Sequence, residues 1–205
     1  MDNIKVGLID DENTNYDDYA TRLKRKGIDL IFYNGESTIE RIVEWIIEGN
    51  ILCVFVDYDL SKKYYHNGTD VVFELNQILP NFPCIMLTNY PEQSKNEKLV
   101  AHRLIWDREL LNAVDLAPVV DTIKNEIDVF LKRKETLLSK YEDLVTKSSS
   151  GQLSTSEEEK LFQLHMIFSK MGETDDIPAQ LLNSATNQKL DNLIEHLSQL
   201  LNKEE

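Results

Sequence analysis

Carboxylates and one hydroxyl follow three of the apolar runs in the first half of this chain. Asp10 and Asp11 come directly after VGLI, Asp57 follows LCVFV with Asp59 close behind, and Thr88 follows CIML. Short apolar runs bounded by polar residues predict buried strands that end at these positions. The residues just beyond the predicted strands are therefore the first candidates for chemistry.

These acidic residues indicate a cation site. In a parallel α/β sheet, ligands bind beyond the carboxyl ends of the strands, where Asp10, Asp11 and Asp57 would meet. Three carboxylates brought together are costly unless a cation neutralises them, and hard oxygen ligands of this kind suit Mg²⁺. Phosphoryl transfer uses such a pocket, because the metal offsets the charge on the phosphate oxygens while a carboxylate attacks. The alternative is that the Asp-Asp pair only caps a helix.

The elements that must position these residues alternate along the first half of the chain. Between Ile4 and about Leu116, short apolar runs alternate with amphipathic stretches, which predicts a doubly wound α/β fold with a five-stranded parallel sheet. The predicted strands are 6–9, 29–33, 52–56, 84–87 and 103–106. Helices are predicted at 16–26, 38–48 and 70–79, where glycine or proline supplies the stop signal, and a short fourth helix at 92–102.

From about Pro118 the pattern predicts an all-α region, so we divide the chain into an α/β domain at 1–117 and a helical extension at 118–205. No helix breaker lies between Pro118 and Ser148, so the first helix of the extension is expected to be continuous with the α/β domain. A capping box at Ser154 or Thr155 begins a second helix after a serine-rich loop. A third helix is predicted after Pro178, with a stripe of Leu190, Leu193, Leu197 and Leu200.

The first helix of the extension has a seam of apolar residues three and four positions apart. The seam consists of Val120, Ile123, Ile127, Phe130, Leu137, Tyr141 and Leu144, with Lys134 on the same side. Such a seam serves either core packing within the chain or docking of a partner helix, including that of a second copy in a homodimer.

Composition restricts the function classes. With 36 Asp+Glu against 22 Lys+Arg, the net charge of -14 disfavours nucleic acid and anionic membrane surfaces as partners. No apolar run approaches the roughly 20 residues needed to cross a bilayer, and the first residues lack the features of a signal peptide. We therefore expect a cytoplasmic protein. The four histidines lack metal-ligand spacing, and Cys53 and Cys84 lie in predicted strands, which indicates packing roles.

Four segments resemble response-regulator receiver domains, over about residues 4 to 117. KVGLIDDE is similar to the first strand with its acid pair, CVFVDYDL to the third strand with its phosphate acceptor, NGTDVV to the start of the third helix, and PCIMLTN to the fourth strand with its hydroxyl residue. This resemblance implies a receiver or flavodoxin-like fold. It also implies that Asp57 is the phospho-acceptor and that Thr88 bonds a phosphate oxygen. Mg²⁺ would be held by Asp10, Asp11 and Asp57 and by the main-chain carbonyl of Asp59.

The chain departs from the receiver pattern at the fifth strand, where receivers normally carry a lysine that pairs with the phosphoryl group. The segment RLIWDREL places Trp106 or Asp107 at that position, depending on the register. Arg108 is close in sequence, but a guanidinium fork is not interchangeable with a compact ammonium. We therefore treat Trp106 and Arg108 as candidates for a switch or substitute residue. The insertion at 62–66 is either a solvated loop or, beside the pocket, a contact surface or a basic lip over the phosphate site that replaces part of the missing lysine's charge.

Together these features predict a two-component-type signalling protein that takes phosphate from a histidine kinase or phosphotransfer protein. Its output would be protein contacts of the helical region, made to an effector or to a second copy. Enzymatic activity beyond self-phosphorylation from a phosphodonor is not expected, because residues 118–205 have no Gly-rich phosphate loop, catalytic Ser-His-Asp order or zinc spacing. The alternatives are a pseudo-receiver scaffold that works without phosphorylation, and a phosphate sink without conformational output.

Overall fold

The computed structural model of this chain describes residues 3–60 and 67–174. Its first part contains a five-stranded sheet in the order β2-β1-β3-β4-β5, and every neighbouring pair of strands is parallel. The strands are β1 (Ile4–Ile9), β2 (Ile28–Phe32), β3 (Cys53–Val56), β4 (Cys84–Thr88) and β5 (Ile105–Asp107). The predicted five-stranded parallel α/β fold is confirmed.

Within the residues that the structure describes, six α-helices and two short 3₁₀ helices connect or follow the strands. The α-helices are α1 (Tyr16–Lys24), α2 (Ile39–Glu48), α3 (Gly68–Ile78), α4 (Pro91–Glu97), α5 (Ala117–Ser149) and α6 (Thr155–Lys170), and the 3₁₀ helices are His102–Leu104 and Arg108–Asn112. Side chains of Thr38 and Asn67 cap α2 and α3 by accepting backbone N–H bonds. Helix α4 begins at Pro91 and ends before Lys98, whose φ is +60°. The predicted short fourth helix is thus present.

One apolar core of the α/β part lies where α1 and the first half of α5 pack on the sheet. Leu23 of α1, Phe55 of β3 and Ile123 of α5 are fully buried in one apolar cluster. Burial of such side chains is the main source of stability for a domain of this kind. Cys53 and Cys84 are buried free cysteines in neighbouring strands, which agrees with the packing role expected from the sequence.

The chain forms two compact units, 1–134 and 135–205. The division lies inside α5, whereas the sequence placed the boundary between 117 and 118. The reason is that Val119, Val120, Ile123 and Ile127 are buried in the sheet cluster, so this half of α5 belongs to the core of the first unit.

The described part of the second unit has its own small core. Tyr141 and Leu144 of α5 pack with three residues of α6, which are Leu161, Leu164 and Phe168. Ser154 begins α6 with a capping box to Glu157, one of the two boxes that the sequence offered. His165 is buried, and its Nδ1 lies 3.0 Å from the Tyr141 hydroxyl oxygen. This histidine therefore has a packing role.

The apolar seam of α5 is used in packing within the chain. Val120, Ile123, Ile127 and Phe130 are buried in the first unit, while Tyr141 and Leu144 are buried in the core of the second. Of the two roles that the sequence left open, the structure thus supports core packing for these residues. The insertion at 62–66 and the predicted helix after Pro178 lie outside the described residues. Within the described ranges, no helix is both long and apolar enough to cross a membrane.

Candidate functional site

Three carboxylates meet at the carboxyl edge of the sheet. Ile9 and Val56 are paired across the parallel strands β1 and β3, so Asp10 and Asp57, one residue further along each strand, are neighbours. The backbone N–H of Asp57 donates to the carbonyl of Ile9 at 2.9 Å. Carboxylate oxygens of Asp10, Asp11 and Asp57 all lie within 4.8 Å of one another. The structure therefore brings together the acidic residues that the sequence predicted.

Burial makes these carboxylates unlike surface ones. Asp10 is 3% exposed and Asp57 is 8% exposed, while Asp11 is half-buried. Burial raises the pKa of Asp57 to about 6, against the opposing effect of Arg108 and with a further rise from Asp10. The pKa of Asp10 is also raised, mainly by burial, although Arg108 lowers it. Such a pocket favours a bound cation, because a cation offsets the cost of burying negative charge.

Arg108 supplies a cation to this pocket. It is the first residue of the 3₁₀ helix that follows β5, and its side chain is only 14% exposed. Nη2 lies 2.6 Å from Asp10 Oδ2 and 3.0 Å from Asp57 Oδ1. Nε donates to the carbonyl of Leu87 at 3.3 Å, which anchors the guanidinium to β4. Of the two candidates for a switch or substitute residue, Arg108 is thus the one that reaches the acids.

Trp106 lies in the core. Its indole is 9% exposed, contacts Phe55 with ring centroids 6.1 Å apart, and donates from Nε1 to the carbonyl of Arg103. The register of β4 and β5 pairs Thr88 with Asp107, which is exposed and caps the next turn by accepting from the Glu109 N–H. Side chains alternate between the two faces of a strand, and this alternation directs Trp106 into the apolar cluster. The chain turns toward the carboxylates of the pocket only after β5 ends.

Thr88 and Asp59 complete the set of predicted site residues. Thr88 ends β4, is fully buried, and accepts a hydrogen bond at Oγ1 from the Tyr90 N–H at 3.0 Å. In this bond the hydroxyl oxygen is the acceptor, so its proton is not used. Asp59 lies in the segment after β3 with an exposed side chain. The donor set of Asp10, Asp11 and Asp57 consists of carboxylate oxygens, which fits Mg²⁺.

A second polar cluster, which sequence reasoning did not predict, lies beside the acid pocket. Glu97 of α4 accepts hydrogen bonds from the Tyr58 hydroxyl at 2.7 Å and from Asn67 Nδ2 at 3.1 Å, and also from the hydroxyl of Thr69. The bond to Glu97 raises the pKa of Tyr58 to about 12. This cluster ties α4 to the residue after Asp57 and to the start of α3. No local sequence signal indicates it, since Glu97 lies in a polar segment far from its partners along the chain.

Gly68 allows α3 to begin directly against the end of β3. A Cβ at this position would lie 1.8 Å from the backbone oxygen of Asp57. We expect Gly68→Ala to lower the free energy of unfolding by about 2 kcal/mol, because the backbone around Asp57 must shift to make room. Urea unfolding measures this cost.

Gly27→Ala is the control for this substitution. Gly27 has φ +81° but no atom closer than 4.0 Å to an added Cβ, so only the backbone penalty of about 1 kcal/mol applies. Equal losses in the two variants would contradict a steric role for Gly68.

Comparisons with known proteins identify the fold of the first unit. No protein-family model and no curated protein sequence matches the chain. The signal receiver domain of an HD domain-containing protein from Pseudomonas fluorescens Pf-5 is similar in structure, with a TM-score of 0.51, 12% identity, and coverage of 66% of this chain and 94% of that one. NtrX from Brucella abortus, solved in complex with ADP, has a TM-score of 0.51 and 16% identity, over 66% of this chain and 30% of that one. The α/β unit of this chain therefore has the fold of a response-regulator receiver domain.

Proposed function

We propose that this chain is an atypical receiver in two-component-type signalling, with Asp57 as its phospho-acceptor. The proposal rests on one observation, which is the meeting of Asp57 with Asp10 and Asp11 at the carboxyl edge of the sheet, with their oxygens within 4.8 Å. Asp57 has a pKa of about 6, so its carboxylate is ionised at neutral pH and can act as a nucleophile.

Each residue of the pocket has a role in this transfer. An Asp57 oxygen attacks the phosphorus of a phosphohistidine, and the bond from phosphorus to the imidazole nitrogen breaks with its electron pair staying on the imidazole. Asp10, Asp11 and the main-chain carbonyl of Asp59 would hold Mg²⁺, which offsets charge on the phosphate oxygens when it is bound. Thr88 would donate its hydroxyl proton to one of these oxygens.

The partners we propose follow from this role and from the charge of the chain. The phosphate donor would be a histidine kinase or a phosphotransfer protein in the cytoplasm. The output would be a contact of the helical region with a protein effector or with a second copy in a homodimer. The net charge of -14 supports protein partners over nucleic acid or membrane surfaces. The chemistry we propose ends with phosphorylation of the chain itself.

Intact mass spectrometry after exposure to acetyl phosphate and Mg²⁺ tests the acceptor. We expect one phosphoryl adduct on the wild type and none on Asp57→Asn, because the amide is not a nucleophile. Asp121→Asn is the matched control, since it changes an exposed carboxylate on α5 in the same way and should keep the adduct. An adduct on Asp57→Asn would disprove Asp57 as the acceptor. Size-exclusion chromatography of the labelled wild type then tests whether the output is self-association.

A second candidate function is a pseudo-receiver scaffold, in which the sheet supports protein contacts without phosphorylation. The observation that favours it is Arg108, which already pairs with both Asp10 and Asp57 and offsets part of their charge without a metal. A scaffold of this kind requires neither a phosphoryl adduct nor a bound metal ion. Absence of both acetyl phosphate labelling and Mg²⁺ binding would therefore favour the scaffold and direct attention to the helical unit.

A further inference from the structure

Arg108 occupies the same carboxylates that a metal ion would need. One guanidinium nitrogen, Nη2, bridges Asp10 and Asp57, which belong to two different strands. The contact is not a loose surface pair, because Asp10 and Asp57 side chains are 4% and 11% exposed and that of Arg108 is 14% exposed. The carbonyl of Leu87 holds the same guanidinium from the side of β4.

A divalent ion and this guanidinium are poor neighbours. Mg²⁺ bonds carboxylate oxygens at about 2.1 Å, so an ion on Asp10 Oδ2 would lie within about 5 Å of a nitrogen that is itself 2.6 Å from that oxygen. Two cations at this distance repel each other, and the repulsion is weakly screened in a buried pocket. Both cations also bind to the carboxylates of Asp10 and Asp57.

We propose that Arg108 is an internal counter-cation that a divalent metal must displace from Asp10 and Asp57. This inference rests on the metal site of the proposed function and adds a device that regulates it. Without metal, the guanidinium offsets part of the negative charge of the three carboxylates in the pocket. The affinity for metal is then set by the competition between Mg²⁺ and Arg108, and Arg108 is a positioning residue that acts through the carboxylates.

Calorimetric titration of the full chain with Mg²⁺, and with Mn²⁺ as a second probe, tests the competition. We expect Arg108→Gln to bind both ions at least about tenfold more tightly than the wild type, because the competing charge is gone. Arg103→Gln is the matched control, since it removes the same charge from an exposed ion pair with Glu126 outside the pocket and should leave the affinity unchanged. Unchanged or weaker binding by Arg108→Gln would overturn the proposal.

Thermal unfolding gives a second readout that does not depend on phosphorylation. Without metal, Arg108→Gln leaves three carboxylates without their counter-cation, so Mg²⁺ should raise its melting temperature more than that of the wild type. Arg108→Lys keeps the charge but lacks the guanidinium fork, so its affinity should lie between the two. An Arg108→Lys affinity below that of the wild type would contradict competition.

These results separate the inference from the proposed function. If Arg108→Gln binds Mg²⁺ more tightly but acetyl phosphate gives no adduct on the wild type, the competition is supported and phospho-acceptance is rejected. If the wild type gains an adduct but binds Mg²⁺ with the same affinity as Arg108→Gln, phospho-acceptance is supported and the competition is rejected. Binding of neither ion by either protein would overturn the competition and the metal site together.

Discussion

Asp57→Asn is expected to raise the free energy of unfolding at pH 8 by up to about 3 kcal/mol when no divalent metal is present. The ionised carboxylate of Asp57 is unfavourable in the folded protein, because burial and the neighbouring Asp10 raise its pKa from 3.8 to about 6 in spite of Arg108. An asparagine has nearly the same shape and can still accept a hydrogen bond from Arg108, yet it carries no charge to bury.

The pH dependence of stability follows from the same pKa shift. Since the folded protein binds the Asp57 proton more tightly than the unfolded chain, this residue stabilises the fold most at low pH. Its contribution is fully present below about pH 4 and is lost as the pH rises through about 6. The advantage of Asp57→Asn over the wild type should therefore be small near pH 4 and reach its full size above pH 7.

Urea unfolding in EDTA across this pH range measures the difference. Asp121→Asn is the control again, because its exposed carboxylate on α5 should leave both stability and its pH profile close to those of the wild type. Asp57→Asn could also prove less stable than the wild type at pH 8. The ion pair of Asp57 with Arg108 would then stabilise the fold by more free energy than the burial of the carboxylate costs.

Phe168→Ala is expected to unfold the small helical unit. Phe168 is fully buried, and its ring centroid lies 5.6 Å from that of Tyr141 in a cluster that has five buried residues within the described part of the chain. Truncating a buried phenylalanine costs about 3–5 kcal/mol, which is a large part of the stability of a small domain. Hydrogen exchange should then lose protection in the second unit, while amides of the sheet keep theirs.

Phe162→Ala is the matched control for this substitution. It is the same change on the same helix, but Phe162 is 47% exposed, so the expected loss is about 1 kcal/mol or less. Acetyl phosphate labelling of Asp57 should survive in both variants, because every residue proposed for the transfer lies in the first unit. Equal protection of the second unit in the two variants would show that Phe168 is not the centre of its core.

Arg108 is the cation that the structure places in the acid pocket. Its guanidinium comes from the first residue past β5 and pairs with two of the three carboxylates. The Glu97 cluster ties α4 to Tyr58, the residue next to Asp57. A change in the charge of the pocket would therefore occur close to the end of a helix. Although β5 ends without a lysine, Arg108 therefore offsets part of the negative charge of the pocket.

Most of the fold and part of the site follow from the sequence by itself. The five strands are short apolar runs, and a strand end is a local feature, so Asp10, Asp57 and Thr88 can be placed at one edge of a parallel sheet without coordinates. The same reasoning predicts the start of α6, because Ser154 and Glu157 form a capping box within four residues.

Only the tertiary structure determined which side chains contact these residues. Arg108 meets Asp10 across 98 positions of the chain, and Glu97 meets Tyr58 across 39, so no periodic pattern can indicate either contact. The register of β5 against β4 determined that Trp106 lies in the core and that Arg108 turns to the acids. The apolar seam of α5 was visible in the sequence, but its packing partners were not, because apolar periodicity shows that a face is buried without showing what covers it.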